Sequence, residues 1–582
     1  MDLKEVYIES NLEVLSIIDS YYDKRYRNSL LTRLSARFLE NEASHFSYKK
    51  WIAAAIVERL KIARAAYKFS AKIKSDCLIL FIPKVSTYGL NRDFCGIDAD
   101  IWARIKVPIW VKLRALIRVS VNKMTALALV FAVPLWLAYN LVKKKAQSES
   151  HTYKTGIIIV GGGYGFASKH RNSDFIVKNR EESKDDVVVI IENQYANLTG
   201  FSDTGYSLLD VRDFPAATPK FIADIVIKKF ILYWVKSILL SVFSSTILIE
   251  SNARIMVTYL KWTSIMQVYN LKNIVTFNDF TPQHVIRNIL LKQHETNTIY
   301  FAYSAAQVNV YARIEELSDC GDVLFSFLHY DYVITWGKTM EQFFNACHTF
   351  NTRSVGALWS DFVQQALKDA ELEQLKRQYL QNIVVDNPKI IGVFDIGKFL
   401  REELQPIHYS SVVRNREVIE FCRMILQLLE DRKNLVVIFK ELDLLEKALT
   451  ENAASDVIDA YQSLFAHERC TRALKVGLDT PQVIAMSHLT VTSYGLTPTI
   501  EAICAGKKAI YLDSTNVMEG CFYDRYPMLI AHNYEQFQEL VDYWLNDVND
   551  ELLNNYLGKY MCPDIDPYLD GKAIDRIREL LA

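Results

Sequence analysis

The pattern of apolar positions changes character at residue 101 and again at residue 156. Over residues 1–75 apolar side chains recur at spacings of three and four, most clearly in Trp51–Ala66 with Arg and Lys between them, which predicts helices. Cys77–Pro83 is a short apolar run closed by proline, a strand candidate, and Arg92–Asp100 is turn-like. Ile101–Lys145 begins as a basic amphipathic stretch carrying Arg104, Lys106, Lys112, Arg114, Arg118 and Lys123. It continues as the uncharged run Thr125–Val142 and closes on Lys143, Lys144 and Lys145. A bilayer core needs about 20 apolar residues, so this run, broken by Pro134, sits at the lower limit. Both flanks are basic, so the positive-inside rule gives no orientation. Three readings stand: a helix lying in the membrane interface, which the cationic flanks suit best, a span, or a buried helix joining two domains. Ala146–Thr155 reads as a polar linker at a domain boundary.

From Gly156 the pattern becomes strand and helix in alternation. Strands are expected at Ile157–Val160, Asp186–Ile191, Asn273–Phe277, Thr298–Ala302 and Tyr332–Trp336, with helical patterns between them. Phe230–Ile249 is long and apolar but contains Lys236, and reads as a packed helix. The charged stretch Phe362–Asn382 has the character of a connector helix. A second series follows: strand Lys389–Phe394, helix Arg414–Asp431, strand Asn434–Phe439, helices near Leu442–Ala454 and around Ala460, a strand ending at Ser493, helix Thr499–Ala505 and strand Lys508–Leu512. Such alternation argues for parallel sheets in an α/β fold. The expected organisation is a helical region over 1–150, a Rossmann-like domain over 151–360, a connector over 361–387 and a second Rossmann-like domain over 388–582.

Composition narrows the classes of function. Half of the 582 residues are apolar and 23% are charged, as in a folded globular chain. A net charge of −1 supplies no field that would draw the chain onto nucleic acid. The nine cysteines are scattered without a CxxC pair, which argues against a zinc ribbon or a disulfide framework and suits a reducing compartment. The first fifteen residues are acidic and amphipathic, without the pattern of a secretory signal. A cytoplasmic location is therefore expected, peripheral on the inner face of the membrane if Ile101–Lys145 lies on it.

Chemistry concentrates in Leu489–Asp513, which reads as strand, tight turn, helix, strand. Ser493 ends the first strand, Gly495 permits the turn, Thr497 is placed as an N-cap and Pro498 as the first helical residue. A helix starting there aims free amides and a positive dipole end at the carboxyl edge of a parallel sheet, which suits phosphate. An ordinary βαβ unit would show the same spacing. Glu501, one turn in, could accept hydrogen bonds from a ribose or support the helix dipole. Gly161–Gly165 follows a strand but does not give GxGxxG, so a dinucleotide site is poorly supported. Asn278–His284 follows another strand and offers Asp279 and His284 as candidate general bases for deprotonating an acceptor hydroxyl. The plain alternatives are a helix cap and a helix-surface residue. Glu192 and Asp203 are lesser candidates.

The segment Ser493-x3-Thr497-x3-Glu501-Ala502-x3-Gly506-Lys507-x2-Ile510-Tyr511-x-Asp513 resembles the donor-site segment of GT-B transferases that build bacterial surface polysaccharides and teichoic-acid-like polymers. Asp564–Arg576 resembles the terminal segment of the same enzymes, glycerophosphotransferases of the teichoic acid type included. The similarity is strongest over Asn387–Ala582, weaker over Gly156–Ser360 and absent from the first 150 residues. It implies two Rossmann-like domains facing a cleft, a nucleotide sugar as donor and a glycan or lipid-linked acceptor. It also implies that no metal or other cofactor is required, since such enzymes meet the departing diphosphate with helix dipoles and basic side chains. Ser493, Thr497, Thr499 and Glu501 match the donor side, and Asp395 and Lys398 follow the strand that approaches the donor diphosphate. Lys440 and Glu441 follow the next strand, where nucleotide contact competes with a surface ion pair, and His408 lies in the same half. Retaining relatives often carry a second Glu where this chain has Ser493, which favours an inverting transfer. Transfer of a polyol phosphate from a CDP-alcohol is the alternative chemistry, and a non-catalytic, membrane-bound assembly protein on a degenerate GT-B fold is the third reading.

Overall fold

The computed structural model describes residues 22, 26–40, 46–51, 120–121, 123–132, 135–136, 139–140, 150–159, 184–192, 201, 205–213, 218, 220, 222–244, 246–277, 279, 282–304, 325–347, 351–381, 383–395, 415–441, 455–473, 475, 477–516 and 518–581. The expected strand Cys77–Pro83, the Gly161–Gly165 loop, the Leu442–Ala454 helix, Asp203, Lys398 and His408 lie outside the described residues.

Two parallel sheets organise the chain. The first contains β1 (His151–Ile159), β2 (Val187–Ile191), β3 (Ser207–Asp210), β4 (Tyr269–Thr276), β5 (Asn297–Phe301), β6 (Tyr332–Thr335) and β7 (Thr352–Ser354), in the order 3-2-1-4-5-6-7. The second contains β8 (Lys389–Phe394), β9 (Leu435–Lys440), β10 (Cys470–Arg472), β11 (Leu489–Ser493), β12 (Ala509–Leu512) and β13 (Ile530–Ala531), in the order 10-9-8-11-12-13. Every pairing is parallel. β2 and β9 are nearly continuous apolar runs, as expected of strands covered on both faces. Val187–Ile191 and Leu435–Phe439 are buried along their whole length, and each such side chain contributes about 1.5–3 kcal/mol on burial. In both sheets the strand order reverses direction beside the first strand, between β1 and β4 and between β8 and β11. These are the positions where open α/β sheets receive ligands.

Two expectations need correction, and the last residues add a contact between the two halves. The stretch read as a polar linker is already strand from His151, with Thr155 fully buried between β2 and β4. The apolar stretch Phe230–Ile249 is not one helix. A helical segment over Ile222–Ile231 runs into the helix Leu232–Ser241, the chain turns at Val242–Ser244, and a new helix spans Thr246–Ile265. Finally, the chain end packs back on the first sheet's half. The Asp566 carboxylate accepts from the Ala357 amide at 2.9 Å, Asp361 accepts from the Ile574 amide at 2.7 Å, and the Leu581 carbonyl accepts from Asn273 at 3.0 Å. The terminal helix Ala573–Leu581 is amphipathic and buries Ile574, Ile577 and Leu581 there.

Candidate functional site

Strand register places the chemistry of the second half on one edge. Thr492 pairs with Phe394, Phe394 with Lys440, and Ser493 with Leu512. One residue further, Glu441, Asp395 and Ser493 therefore stand level at the carboxyl edge, and one step beyond Ser493 and Leu512, Tyr494 stands beside Asp513. Leu512 pairs with Ala531, which adds His532 to the row.

The turn after β11 delivers the helix Thr497–Cys504. Gly495 sits at a φ of 76°, a left-handed conformation that a side chain disfavours. Leu496, not Thr497, is the N-cap, and no side chain caps the helix. Thr497 is already the first helical residue, so its hydroxyl is turned elsewhere: it meets the Ser304 hydroxyl, beyond the end of β5, at 2.7 Å. The loops at the carboxyl ends of the two sheets thus touch. The helices beginning at Thr480, Tyr534 and Asp550 are capped by Asp479, Asn533 and Asn549. The Thr497 helix has no such side-chain cap.

The remaining donor-side candidates divide by burial and partner. Ser493 and Lys440 are half-buried and reach the edge. Burial lowers the Lys440 pKa, with Asp479 and Glu441 opposing the shift. Asp395 is buried and accepts a short hydrogen bond from the Tyr461 hydroxyl. Glu441 is fully buried and accepts from Arg472 Nε and Nη2 at 2.5 Å each, so the ion pair expected at the surface is an internal one. Thr499 faces inward, bonded to the Thr492 hydroxyl at 2.7 Å and to the Ile510 carbonyl at 3.3 Å. It fastens the helix to the sheet. Glu501 is completely enclosed, so the ribose contact expected of it is not open in this arrangement.

A group that the sequence reading missed closes the row. The His532 ring lies between two carboxylates, with Nδ1 2.9 Å from Asp513 and Nε2 2.8 Å from Asp524. Burial disfavours the imidazolium, but the two hydrogen-bonded carboxylates outweigh it and raise the pKa to about 9. The ring is cationic at neutral pH and pins the loop between β12 and β13.

In the first half Asp279 and His284 do come together, as framework. Asp279 is fully buried and accepts from Arg287 at 2.7 Å and from the Tyr330 hydroxyl at 3.0 Å. Arg287 also donates to Glu192 at 2.6 Å, and Trp262 donates to the other Glu192 oxygen at 3.2 Å. Burial opposes the charge on Arg287, yet Glu192 and Asp279 hold it on. Burial raises the Glu192 pKa despite Arg287. The His284 Nε2 accepts the His329 amide at 3.1 Å, and its ring stacks on Tyr330 with centroids 5.0 Å apart. Asp279 is spent on neutralising Arg287, and His284 is enclosed with Nε2 already engaged, so neither fits the general base expected from the sequence. The signal that could have shown this is Arg287, one helical turn beyond His284. Among the described residues no cluster of His, Cys, Asp or Glu is arranged to hold a metal ion.

The sequence pattern of the polysaccharide biosynthesis PFTS motif proteins matches residues 228–541, more than half of the chain. The chain belongs to that family. The match runs from the helices beside the first sheet through the Thr497 helix to the helix after β13. No curated protein matches the sequence. Among solved structures, the wall teichoic acid polymerase TagF is similar over 74% of this chain and 88% of its own, at 12% identity and a TM-score of 0.40. The S. aureus MnaA–UDP structure is similar over 73% of this chain and 95% of its own, at 12% identity and a TM-score of 0.40. The UDP-GlcNAc 2-epimerase of Methanocaldococcus jannaschii is similar over 73% and 99%, at 13% identity and a TM-score of 0.40.

Proposed function

We propose that the chain is a glycosyltransferase that takes a sugar from a nucleotide sugar and adds it to a glycan or lipid-linked acceptor. The observation that carries this reading is the uncapped Thr497 helix at the carboxyl edge of the second sheet, beside the reversal in strand order. Its free amides and dipole suit the donor diphosphate, with Ser493 at the strand end and Lys440 on the neighbouring strand as further polar contacts. The acceptor hydroxyl oxygen attacks the anomeric carbon and gives up its proton to solvent, the bond from that carbon to the diphosphate oxygen breaks, and the nucleoside diphosphate leaves with the electron pair. Preorganised amides at the helix terminus stabilise the charge that builds on the leaving oxygen. Ser493, where retaining relatives carry Glu, supports inversion at that carbon.

Membership in a polysaccharide family supports a sugar over a polyol phosphate as the transferred group. The decisive experiment is a donor screen with a membrane-derived acceptor pool, read by mass spectrometry. A mass increment of one sugar residue supports the proposal. An increment of a polyol phosphate replaces the sugar while keeping the diphosphate site. No transfer and no nucleotide binding would leave the assembly-protein reading.

A further inference from the structure

The sequence directed attention to Ile101–Lys145 as a membrane-seeking segment, and the structure adds a second element to it. Helical residues 120–121 and 123–132 lie against the helical run Ile222–Ser241. Trp234 donates its indole N–H to the Val130 carbonyl at 2.9 Å, the Phe131 and Trp234 rings stand 5.6 Å apart, and Lys123 donates to the Val242 carbonyl at 3.0 Å. The inner sides are conventional core: Ala126 and Val130 on one, Val226, Phe230 and Tyr233 on the other. The outer sides are not. Met124, Trp136, Ile227, Leu232 and Leu239 are each more than half exposed, and Phe243, in the turn that ends the second run, is 90% exposed. A soluble chain rarely leaves so continuous an apolar face in water without a use for it.

The charges around this face favour one occupant. Lys220, Lys228, Lys229 and Lys236 are exposed along the second run. Among the described residues, Asp224 pairs with Lys228 at 2.7 Å and Glu40 approaches Lys229 at 3.5 Å, while Lys220 and Lys236 add further positive charge. A second copy of the chain docking through the same patch about a twofold axis would bring this basic face against itself, which like charges oppose. An anionic bilayer meets both parts at once: lysines reach the headgroups while Trp and Phe enter the boundary with the acyl chains. We infer that the face formed by the described helical residues 120–121, 123–132, 135–136 and 139–140 together with the run 222–243 docks the protein on an anionic lipid surface. Among the described residues no helix is long and apolar enough to cross a membrane. The attachment runs along the plane of the lipid surface. A protein held in this way would meet a lipid-linked acceptor at the surface where it is anchored. The inference stands independently of the donor assignment.

The test is co-sedimentation of the full chain with vesicles of phosphatidylcholine alone, and of phosphatidylcholine with about one-third phosphatidylglycerol. The wild type should pellet with the anionic vesicles at low salt, and much less with the neutral ones. Trp136→Ser combined with Phe243→Ser should weaken partitioning about tenfold or more. The triple change Lys228→Gln, Lys229→Gln and Lys236→Gln should abolish the preference for anionic lipid. All five positions are solvent-exposed, so the thermal midpoint should stay within error of the wild type. Failure to pellet with either vesicle overturns the inference, as does an apolar double variant that pellets like the wild type. A wild-type dimer that this variant converts to a monomer, with vesicle binding unchanged, would assign the face to self-association instead. None of these readouts uses a nucleotide, so failure here is distinct from failure of the transferase reading.

Discussion

Asp279→Asn separates framework from catalysis in the first half. Asn keeps the shape and can still accept from Tyr330, but it removes one of the two carboxylates that neutralise the fully buried Arg287. Breaking a buried ion pair by removing one partner costs about 3–5 kcal/mol. Glu192 remains on Arg287 at 2.6 Å, so the lower end applies, about 3 kcal/mol. That corresponds to roughly a hundredfold shift in the opening equilibrium of the β4–Tyr330 region. Amide exchange along Ile274–Thr276, in the interior of the first sheet, is the direct readout, together with the thermal midpoint. Nucleotide affinity should hardly change, because Asp279 belongs to the first half and the proposed diphosphate site to the second. A general base behaves differently: its loss slows turnover by about a hundred- to ten-thousandfold in a protein of normal stability. A variant with unchanged exchange and midpoint but turnover reduced to that extent would refute the framework assignment and restore the role expected from the sequence.

Three further outcomes follow from the geometry. His532 is raised to about 9 in the fold against about 6.5 in the unfolded chain. Its contribution is therefore complete below about pH 6.5 and lost as pH rises through 9, worth about 1–2 kcal/mol with partial solvent access taken into account. His532→Gln should flatten the thermal midpoint across that window. Asp361 is raised to about 7, chiefly by burial and then by Asp566 and Asp570, against amides that lower it. The native state thus holds this proton more tightly than the unfolded chain, and stability falls as pH climbs from about 4 to 7. Asp361→Asn, which can still accept from Ile574, should remove that slope in a pH series of unfolding midpoints. Gly337→Ala would place a Cβ 2.5 Å from the Ile565 carbonyl oxygen and 2.8 Å from its carbon. Backbone cannot yield as a side-chain tip does, so a loss of about 1–3 kcal/mol is expected, with earlier proteolysis of the chain end as the local readout.

The apolar strands were legible because burial on both faces leaves a nearly continuous apolar run, as in Val187–Ile191 and Leu435–Phe439. The strands Ser207–Asp210, Thr352–Ser354, Cys470–Arg472 and Ile530–Ala531 have two to four residues each, too few to show a period, and they are set by their neighbours in the sheet. Missing the last of these hid His532, because nothing in the sequence placed it beside Asp513. The Thr497 helix was legible to within one residue, but its cap was not. Whether a threonine caps its own helix or bonds across to Ser304, almost two hundred positions away, depends on how the two halves meet. Apolar character likewise located the helices around Phe230 without saying which side faces water, since Ile, Leu and Val read alike in a core and on a membrane face.

Equilibrium binding of nucleoside diphosphates to the wild type and to Thr497→Asp tests the central claim most directly. An acid at the first helical position keeps the favourable interaction with the dipole while occupying the space and field meant for phosphate. The account predicts saturable UDP or CDP binding by the wild type, displaced by inorganic diphosphate, and at least about tenfold weaker binding by a variant of normal thermal stability. Absence of saturable binding to any nucleoside diphosphate, or equal affinity in the variant, would contradict it.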